Sequence, residues 1–150
     1  MKKLILPVRY GIAISGCLIA YFLILALFGL HTKPVFSLFN TIITGFGIFE
    51  VIRHYKLEQG KAFTYANGFT AGMIAGFLAT IMFTFFFLLY ATEINSGFLA
   101  ELLEVFNGDY NVHIGLVSFV VAVMGFATTV ILTFTCMQYF KNSKKLNQNA

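Results

Sequence analysis

The fold follows from residues 66–90, which read ANGFTAGMIAGFLATIMFTFFFLLY. No Asp, Glu, Lys or Arg interrupts this stretch. An α-helix rises about 1.5 Å per residue and the hydrocarbon core of a bilayer is about 30 Å thick, so a helix of this length can cross a membrane. We therefore predict that residues 66–90 form a membrane-spanning helix.

Three further apolar stretches are candidate spans, at residues 10–30, 34–52 and 114–140, and the second of these is shorter and holds Asn40. Hydrophobic residues make up 59% of the 150 residues and charged residues 11%, whereas soluble domains average roughly 25% charged residues. The connections are too short to enclose a second core. The predicted fold class is an all-α integral membrane protein, a four-transmembrane-helix bundle in one domain over residues 1–150.

The basic residues are sorted by connection. Nine of the ten precede the first span, lie between the second and third, or follow the fourth: Lys2, Lys3, Arg9; Arg53, Lys56, Lys61; Lys141, Lys144, Lys145. Only Lys33 lies in the first connection. The third connection carries four acidic residues and no Lys or Arg. The positive-inside rule then predicts that both termini and the middle loop are cytoplasmic. The net charge is +4, but the basic residues do not form a single binding patch. We therefore expect no nucleic-acid partner.

Residues 14–17, Ile-Ser-Gly-Cys, are similar to the box that precedes the lipidated cysteine of bacterial lipoproteins. Pro7 and Arg9 interrupt the apolar region before this box, and the apolar run continues beyond Cys17. A cleaved signal is shorter than a full crossing. We favour an uncleaved first span, with lipid attachment at Cys17 as the alternative.

Glycine recurs at every fourth position in the third span. Gly68, Gly72 and Gly76 form two overlapping GxxxG units. Small residues at this spacing let the backbone of another helix approach closely. We predict a helix-packing site here, with the second span of the same chain as the favoured partner and a second copy of the chain as the alternative.

The second span carries a stripe of small and polar residues. At helical spacing the stripe consists of Ser37, Asn40, Thr41, Thr44, Gly45 and Ile48. An unpaired amide is costly in hydrocarbon, so the stripe should face other helices. We assign Asn40 and Thr44 to the helix-packing site, with a water-lined path along the stripe as the alternative.

Glu50 is the deepest acidic residue of the second span. Arg53 and His54 follow it at i+3 and i+4, where an ion pair can form on one helix face. Together with Tyr65 and Asn67 from the third span, Glu50 and Arg53 make a candidate cytoplasmic polar cluster. We favour an anchor at the membrane surface, and the lining of a cytoplasmic mouth is the alternative.

Residues 97–106 of the third connection form an amphipathic pattern. The apolar face would hold Phe98, Leu99, Leu102, Leu103 and Phe106, and the opposite face Glu101 and Glu104. The segment is too short to cross, so we predict an interfacial helix. It covers the outer end of the bundle or, alternatively, presents a partner or ligand surface. The tail, residues 142–150, is polar and predicted to be disordered.

The sequence offers no familiar catalytic pattern. Its three histidines are dispersed, and HExxH, a Gly-rich phosphate loop and a nucleophile elbow are absent. No ionisable residue occupies the middle of a span, which argues against a proton-coupled carrier. We expect no enzyme activity, no metal and no cofactor.

The chain resembles a family of small bacterial membrane proteins, domain of unknown function 4199. The resemblance is carried by residues 7–11, Pro-Val-Arg-Tyr-Gly, by residues 60–69, Gly-Lys-Ala-Phe-Thr-Tyr-Ala-Asn-Gly-Phe, and by the small-residue third span. It covers nearly the whole chain. It implies a bacterial cytoplasmic (inner) membrane location and brings no known activity or functional residues.

Packing motifs without catalytic or relay residues favour a structural or interaction subunit. Its expected partners are the lipid bilayer and either further copies of the chain or another membrane protein. The alternative is an oligomeric channel or transporter for a small solute or lipid, with the second-span stripe and the glycine groove lining a path between protomers.

Overall fold

The computed structural model describes residues 2–105 and 112–141. In these ranges the chain forms α1 (Lys2–Leu27), α2 (Pro34–Gln59), α3 (Tyr65–Leu89), α4 (Phe98–Val105) and α5 (Ile114–Phe140). A 3₁₀ turn covers Gly60–Ala62 and a π-helical turn covers Tyr90–Ile94. Within the described part, α1, α2, α3 and α5 are long and apolar enough to cross a membrane, which confirms the predicted fold class. The tail 142–150 and Phe106 lie outside the described residues.

α1 begins earlier and ends sooner than the apolar stretch. Pro7 lies inside the helix, in its second turn, and its side chain is fully buried. The helix ends in a Schellman motif: Gly29 has a φ of 67°, the Leu30 N–H donates to the Leu25 carbonyl at 2.9 Å, and the Gly29 N–H donates to Ala26 at 3.1 Å. Glycine takes this left-handed conformation without a Cβ clash, so the helix stops there.

α2 begins at Pro34, as the first-turn position of that proline predicts. It continues to Gln59, well past the predicted end of the span at residue 52. Residues 53–59 are mostly polar, but Tyr55 among them is 6% exposed and extends the core beyond the apolar stretch. Glu50, Arg53 and His54 are therefore all helical.

α3 and α5 match their apolar stretches closely. Thr64 caps α3, its side chain accepting from the Asn67 N–H at 3.2 Å. α5 occupies the predicted residues 114–140 and is capped by His113, whose Nδ1 accepts from the Gly115 N–H at 3.1 Å. α4 lies inside the predicted segment 97–106 and begins after a turn in which Asn95 Oδ1 accepts from the Gly97 N–H at 3.2 Å.

α3 is the most widely contacted helix of the bundle. It packs most extensively on α1, then on α5, and it also contacts α2, which itself packs on both α1 and α5. One end of the bundle, here called the basic end, holds the start of α1, the turn Gly60–Ala62 and the end of α5. The other, the acidic end, holds the α1–α2 connection and α4. One apolar cluster lies toward each end.

Candidate functional site

The glycines of α3 pack against α5 through a seam that repeats every four residues on both helices. From the basic end upward the facing pairs are Gly68 with Met137, Gly72 with Thr133, Gly76 with Thr129, and Thr80 with Gly125. The two helices run in opposite directions, so the pairs stay in register along the seam. Each glycine stands opposite a larger side chain, and the last pair reverses the roles of the helices.

The seam is packed without spare volume. A Cβ added at Gly72 would stand 2.8 Å from the Thr133 methyl carbon, and one added at Gly76 would stand 2.7 Å from Thr129 Oγ1. Thr129 and Thr133 are both 0% exposed. Their hydroxyl oxygens are buried without a hydrogen-bond partner in the described part of the chain. These threonines therefore serve packing, and their methyl groups come nearest to the space where a glycine has hydrogen instead of a side chain.

The expectation that the second span fills this groove is wrong for most of its length. Only at Gly72 does α2 reach the groove, through Ile52 Cδ1 at 3.2 Å from the added Cβ. The side chains that fill it come from α5, whose threonines recur at the same four-residue step. The four-residue spacing of the glycines lies within α3 and does not indicate which other helix supplies the side chains that fill the groove.

The predicted stripe of α2 divides in the structure. Thr44 is 8% exposed and Ile48 is fully buried, whereas Ser37 and Thr41 are exposed. Asn40 is half-buried, and its Oδ1 is buried with no hydrogen-bond partner among the described residues. The inner half of the stripe thus packs in the bundle, and the outer half lies on the protein surface.

Two further glycines bring backbones together and were missed as packing residues. A Cβ on Gly11 of α1 would stand 2.9 Å from the Ala75 carbonyl oxygen of α3. A Cβ on Gly47 of α2 would clash with the Ile14 side chain of α1. Gly11 and Ser15 have the four-residue spacing of a small-residue ridge, and this signal could have identified the α1 face.

At the basic end, Glu50 joins side chains from its own helix and from α1. Arg53 donates to Glu50 Oε1 at 3.2 Å, and His54 Nδ1 lies 3.4 Å from Glu50 Oε2. The Tyr10 hydroxyl of α1 lies 2.9 Å from the same His54 nitrogen. The predicted pairing of Glu50 with Arg53 is present, and Tyr10 and His54 complete the group.

The two α3 residues of the predicted polar cluster do not join it. Tyr65 is 41% exposed, and its ring stacks on Phe69 at 6.5 Å. Asn67 contributes its backbone N–H to the Thr64 cap. They lie at the start of α3, and among residues 2–105 and 112–141 the contacts of the group around Glu50 link α1 to α2. Its Arg53 side chain is 56% exposed, as expected of an anchor at a membrane surface.

Lys56 is a second tertiary link at the basic end and was not predicted. Its Nζ donates to the Phe140 carbonyl at 3.3 Å. The same Nζ lies 5.6 Å from the Phe63 ring centre and 5.7 Å from that of Phe140, within range of cation–π attraction. A cation at a helix C-terminus also stabilises the negative end of the helix dipole. Lys56 thus ties α2 and the following turn to the end of α5.

At the acidic end, His31 lies among aromatic rings from three elements. Its ring stacks on Phe98 of α4, with centroids 5.1 Å apart and an 18° interplanar angle. Phe22 of α1 at 5.8 Å and Tyr90 of the π-helical turn at 6.0 Å present edge-to-face contacts. We call His31, Phe22, Tyr90 and Phe98 the histidine box. Phe98 is 1% exposed, so the first turn of α4 covers this end of the bundle.

The histidine box provides no polar partner for the imidazole. Both ring nitrogens of His31 are buried without a hydrogen bond in the described structure. Burial lowers the pKa of His31 below its ordinary value of 6.5, and the nearby Glu101 carboxylate partly opposes this shift. Local sequence patterns do not indicate the box, because it forms only when α4 folds back over the α1–α2 connection.

Among residues 2–105 and 112–141, no group of three or more His, Cys, Asp or Glu side chains is arranged to hold a metal ion. The fold and these packing sites define a helical membrane protein with four spans. The chain belongs to the family described as "Protein of unknown function (DUF4199)", which matches residues 9–111, well over half of the sequence. Searches of curated proteins and of solved structures found no match.

Proposed function

We propose that this protein is a structural or interaction subunit of the bacterial cytoplasmic membrane, with both termini in the cytoplasm. The observation that supports this function most directly is the seam between α3 and α5. Thr129 and Thr133 are 0% exposed and occupy the space beside Gly76 and Gly72. The small residues therefore serve a rigid interior, and the outward faces of the helices are free for lipid and protein partners.

The outward surface is wide and apolar. Of the 18 most apolar consecutive residues of α5, only 11% are buried within the chain. Large exposed side chains of this helix include Leu116, Phe119, Val120, Val123, Met124, Ile131 and Phe134. Lipid covers such a face as well as a protein does, so the surface is compatible with association but does not select a partner.

The experiment for this proposal is native mass spectrometry of the full chain, extracted in mild detergent at its natural expression level. We expect a defined complex in which the 16.7 kDa chain is present at fixed stoichiometry. Chemical cross-linking in intact membranes before extraction should trap the same stoichiometry. A chain that is monomeric by both methods would contradict a subunit role.

An oligomeric channel or transporter is the second candidate. Its supporting observation is the exposed outer half of the α2 stripe, where Ser37 and Thr41 project from the bundle four residues apart. The glycine groove no longer contributes, because α5 occupies it. In a channel these hydroxyls would line a path between protomers.

Flux through proteoliposomes tests the channel directly, with Ser37→Leu as the variant and Leu38→Ala, on the same exposed helix turn, as the control. A channel predicts solute or ion flux that Ser37→Leu reduces and Leu38→Ala does not. Absence of flux from reconstituted oligomers of verified size would exclude this candidate and leave the subunit proposal standing.

A further inference from the structure

We propose that protonation of His31 releases α4 from the acidic end of the bundle, so that this end opens as the pH falls. The inference rests on the histidine box and is independent of the proposed subunit function. It concerns a conformational change built into the fold, in which one imidazole controls whether the short helix is docked.

The ring of His31 is enclosed by side chains from other elements. His31 belongs to the connection between α1 and α2, yet its ring stacks on Phe98 of α4 at 5.1 Å. Phe98 in turn lies 6.0 Å from Phe22 and 5.6 Å from Tyr90, and it is 1% exposed. His31 and Phe98 are therefore packed in one cluster, and α4 cannot leave without uncovering the imidazole.

The ring nitrogens of His31 lack hydrogen-bond partners among the described residues. A neutral imidazole carries one N–H donor and one acceptor, and an imidazolium carries two donors and a positive charge. Both nitrogens are buried without a partner in the described structure. The docked state tolerates a neutral ring at some cost, but a charged ring would leave two buried N–H groups without an acceptor among the described residues. Undocking of α4 gives both N–H groups access to water.

Besides Phe98, one acidic side chain and two aromatic rings of the described residues face His31. α4 contributes Glu101, whose carboxylate favours the charged imidazole, and the π-helical turn contributes the Tyr90 ring, which meets His31 edge to face. α1 contributes Phe22, which does not titrate. Lys33, in the same connection as His31, is exposed to solvent. The single acidic neighbour only partly offsets burial, which has the larger effect on the His31 pKa.

The burial of His31 and the charge of Glu101 together set the direction of the pH effect. At a pH well above 6.5 the ring is neutral whether α4 is docked or not, so docking does not depend on pH there. As the pH falls below 6.5, the undocked state takes up a proton before the docked state does, because burial lowers the pKa of docked His31. Each unit of pKa difference raises the ratio of undocked to docked protein by up to about tenfold.

The experiment compares thiol labelling at two positions of α4 in the full chain, reconstituted in nanodiscs, with Cys17 and Cys136 replaced by serine. Leu102→Cys reports docking, because Leu102 packs against the acidic-end cluster, and the exposed Ala100→Cys corrects for reagent and thiolate chemistry. We expect the ratio of labelling rates, Leu102→Cys over Ala100→Cys, to rise several-fold, up to about tenfold for one unit of pKa difference, between pH 7.5 and pH 5.

Two substitutions isolate the histidine. His31→Phe keeps an aromatic ring in the box but removes the titration, so its labelling ratio should not change with pH. Glu101→Gln removes the charge that favours the imidazolium in the docked state, so it should enlarge the response to acid. The proposal is overturned if the His31 protein gives a flat ratio, or a ratio that falls in acid, as dominant cation–π attraction would produce.

NMR titration of the histidine rings keeps the test decisive if His31→Phe does not fold. The full chain has three histidines, and His54 and His113 lie outside the box. A His31 resonance that titrates below 6.5 supports the proposal. Titration of His31 at or above 6.5 contradicts it.

Discussion

At the residue scale, the absence of a Cβ at a few positions determines how closely the helices approach. Gly72 and Gly76 admit Thr133 and Thr129, and Gly125 admits Thr80 in the reverse sense. In a membrane, helix association depends on such close packing because lipid chains are as apolar as the side chains they replace. Each pair combines a small residue with a branched one, and the seam therefore has little tolerance for added volume.

Gly76→Leu should destabilise the bundle. The new side chain would meet Thr129, which is 0% exposed, and overpacking of this kind typically costs about 1–3 kcal/mol. Gly16→Leu is the matched control, because nothing lies within 4 Å of an added Cβ at Gly16. Unfolding by SDS in mixed micelles measures both variants. Equal stability of the two would refute the packing seam.

Thr129→Val should leave the free energy of unfolding unchanged or raise it. Valine has nearly the shape of threonine and removes a hydroxyl oxygen that is buried without a hydrogen bond. Thr129→Ala provides the contrast, because it removes the packing methyl and should destabilise the seam. The same micelle titration distinguishes them. A loss of more than about 1 kcal/mol for valine would show that the hydroxyl makes a bond that stabilises the fold.

At the element scale, the ends of the helices are held by specific contacts. The Schellman motif at Gly29 ends α1, Pro34 begins α2 and Thr64 caps α3. α5 has no basic residue in its own last turn. Lys56 of α2 supplies a cation there instead, at the Phe140 carbonyl. The end of α5 is thus stabilised by a helix from an earlier part of the chain.

Lys56→Met should loosen the C-terminal end of α5. Methionine keeps much of the length of the side chain but cannot donate to the Phe140 carbonyl or interact as a cation with Phe63 and Phe140. We expect a loss of about 1–2 kcal/mol in stability and faster hydrogen exchange at residues 137–140. The exposed Lys61→Met is the control. Unchanged exchange in Lys56→Met would show that the link is dispensable.

At the scale of the whole molecule, the helices alternate in direction and charge is divided between the two ends. The basic end holds exposed Arg53 and Lys61, and the acidic end holds exposed Glu93, Glu101 and Glu104. This distribution is the basis for the proposed orientation, since positively charged connections are retained in the cytoplasm. In the proposed orientation the histidine box lies on the outer side of the membrane, where the external pH changes.

Cysteine labelling in intact cells should reveal this orientation. In a background without the two native cysteines, Ser96→Cys at the acidic end should react with a membrane-impermeant maleimide. Lys61→Cys at the basic end should react only after the cells are lysed. Both positions are exposed in the structure, so accessibility of the side chain does not limit either. Labelling of Lys61→Cys in intact cells would reverse the proposed topology.

Most of the architecture could be predicted from the sequence, because span length, turn residues and the small-residue repeat are local properties. The third and fourth spans, the Pro34 start and the interfacial helix all depend on patterns within about 27 residues or fewer. The extension of α2 to Gln59 was not predicted, because residues 53–59 are mostly polar and the burial of Tyr55 depends on how the helices pack.

Hydropathy and charge along the chain therefore determined that this protein is a four-span helical bundle and suggested its orientation. Tertiary structure alone decided which helix fills the glycine groove, that Tyr10 and His54 rather than Tyr65 and Asn67 accompany Glu50, and that His31 is enclosed by α4. The physical reason is that transfer into lipid depends on each segment separately. Partner choice instead depends on complementary shapes between segments that are distant in sequence, and local patterns do not specify those shapes.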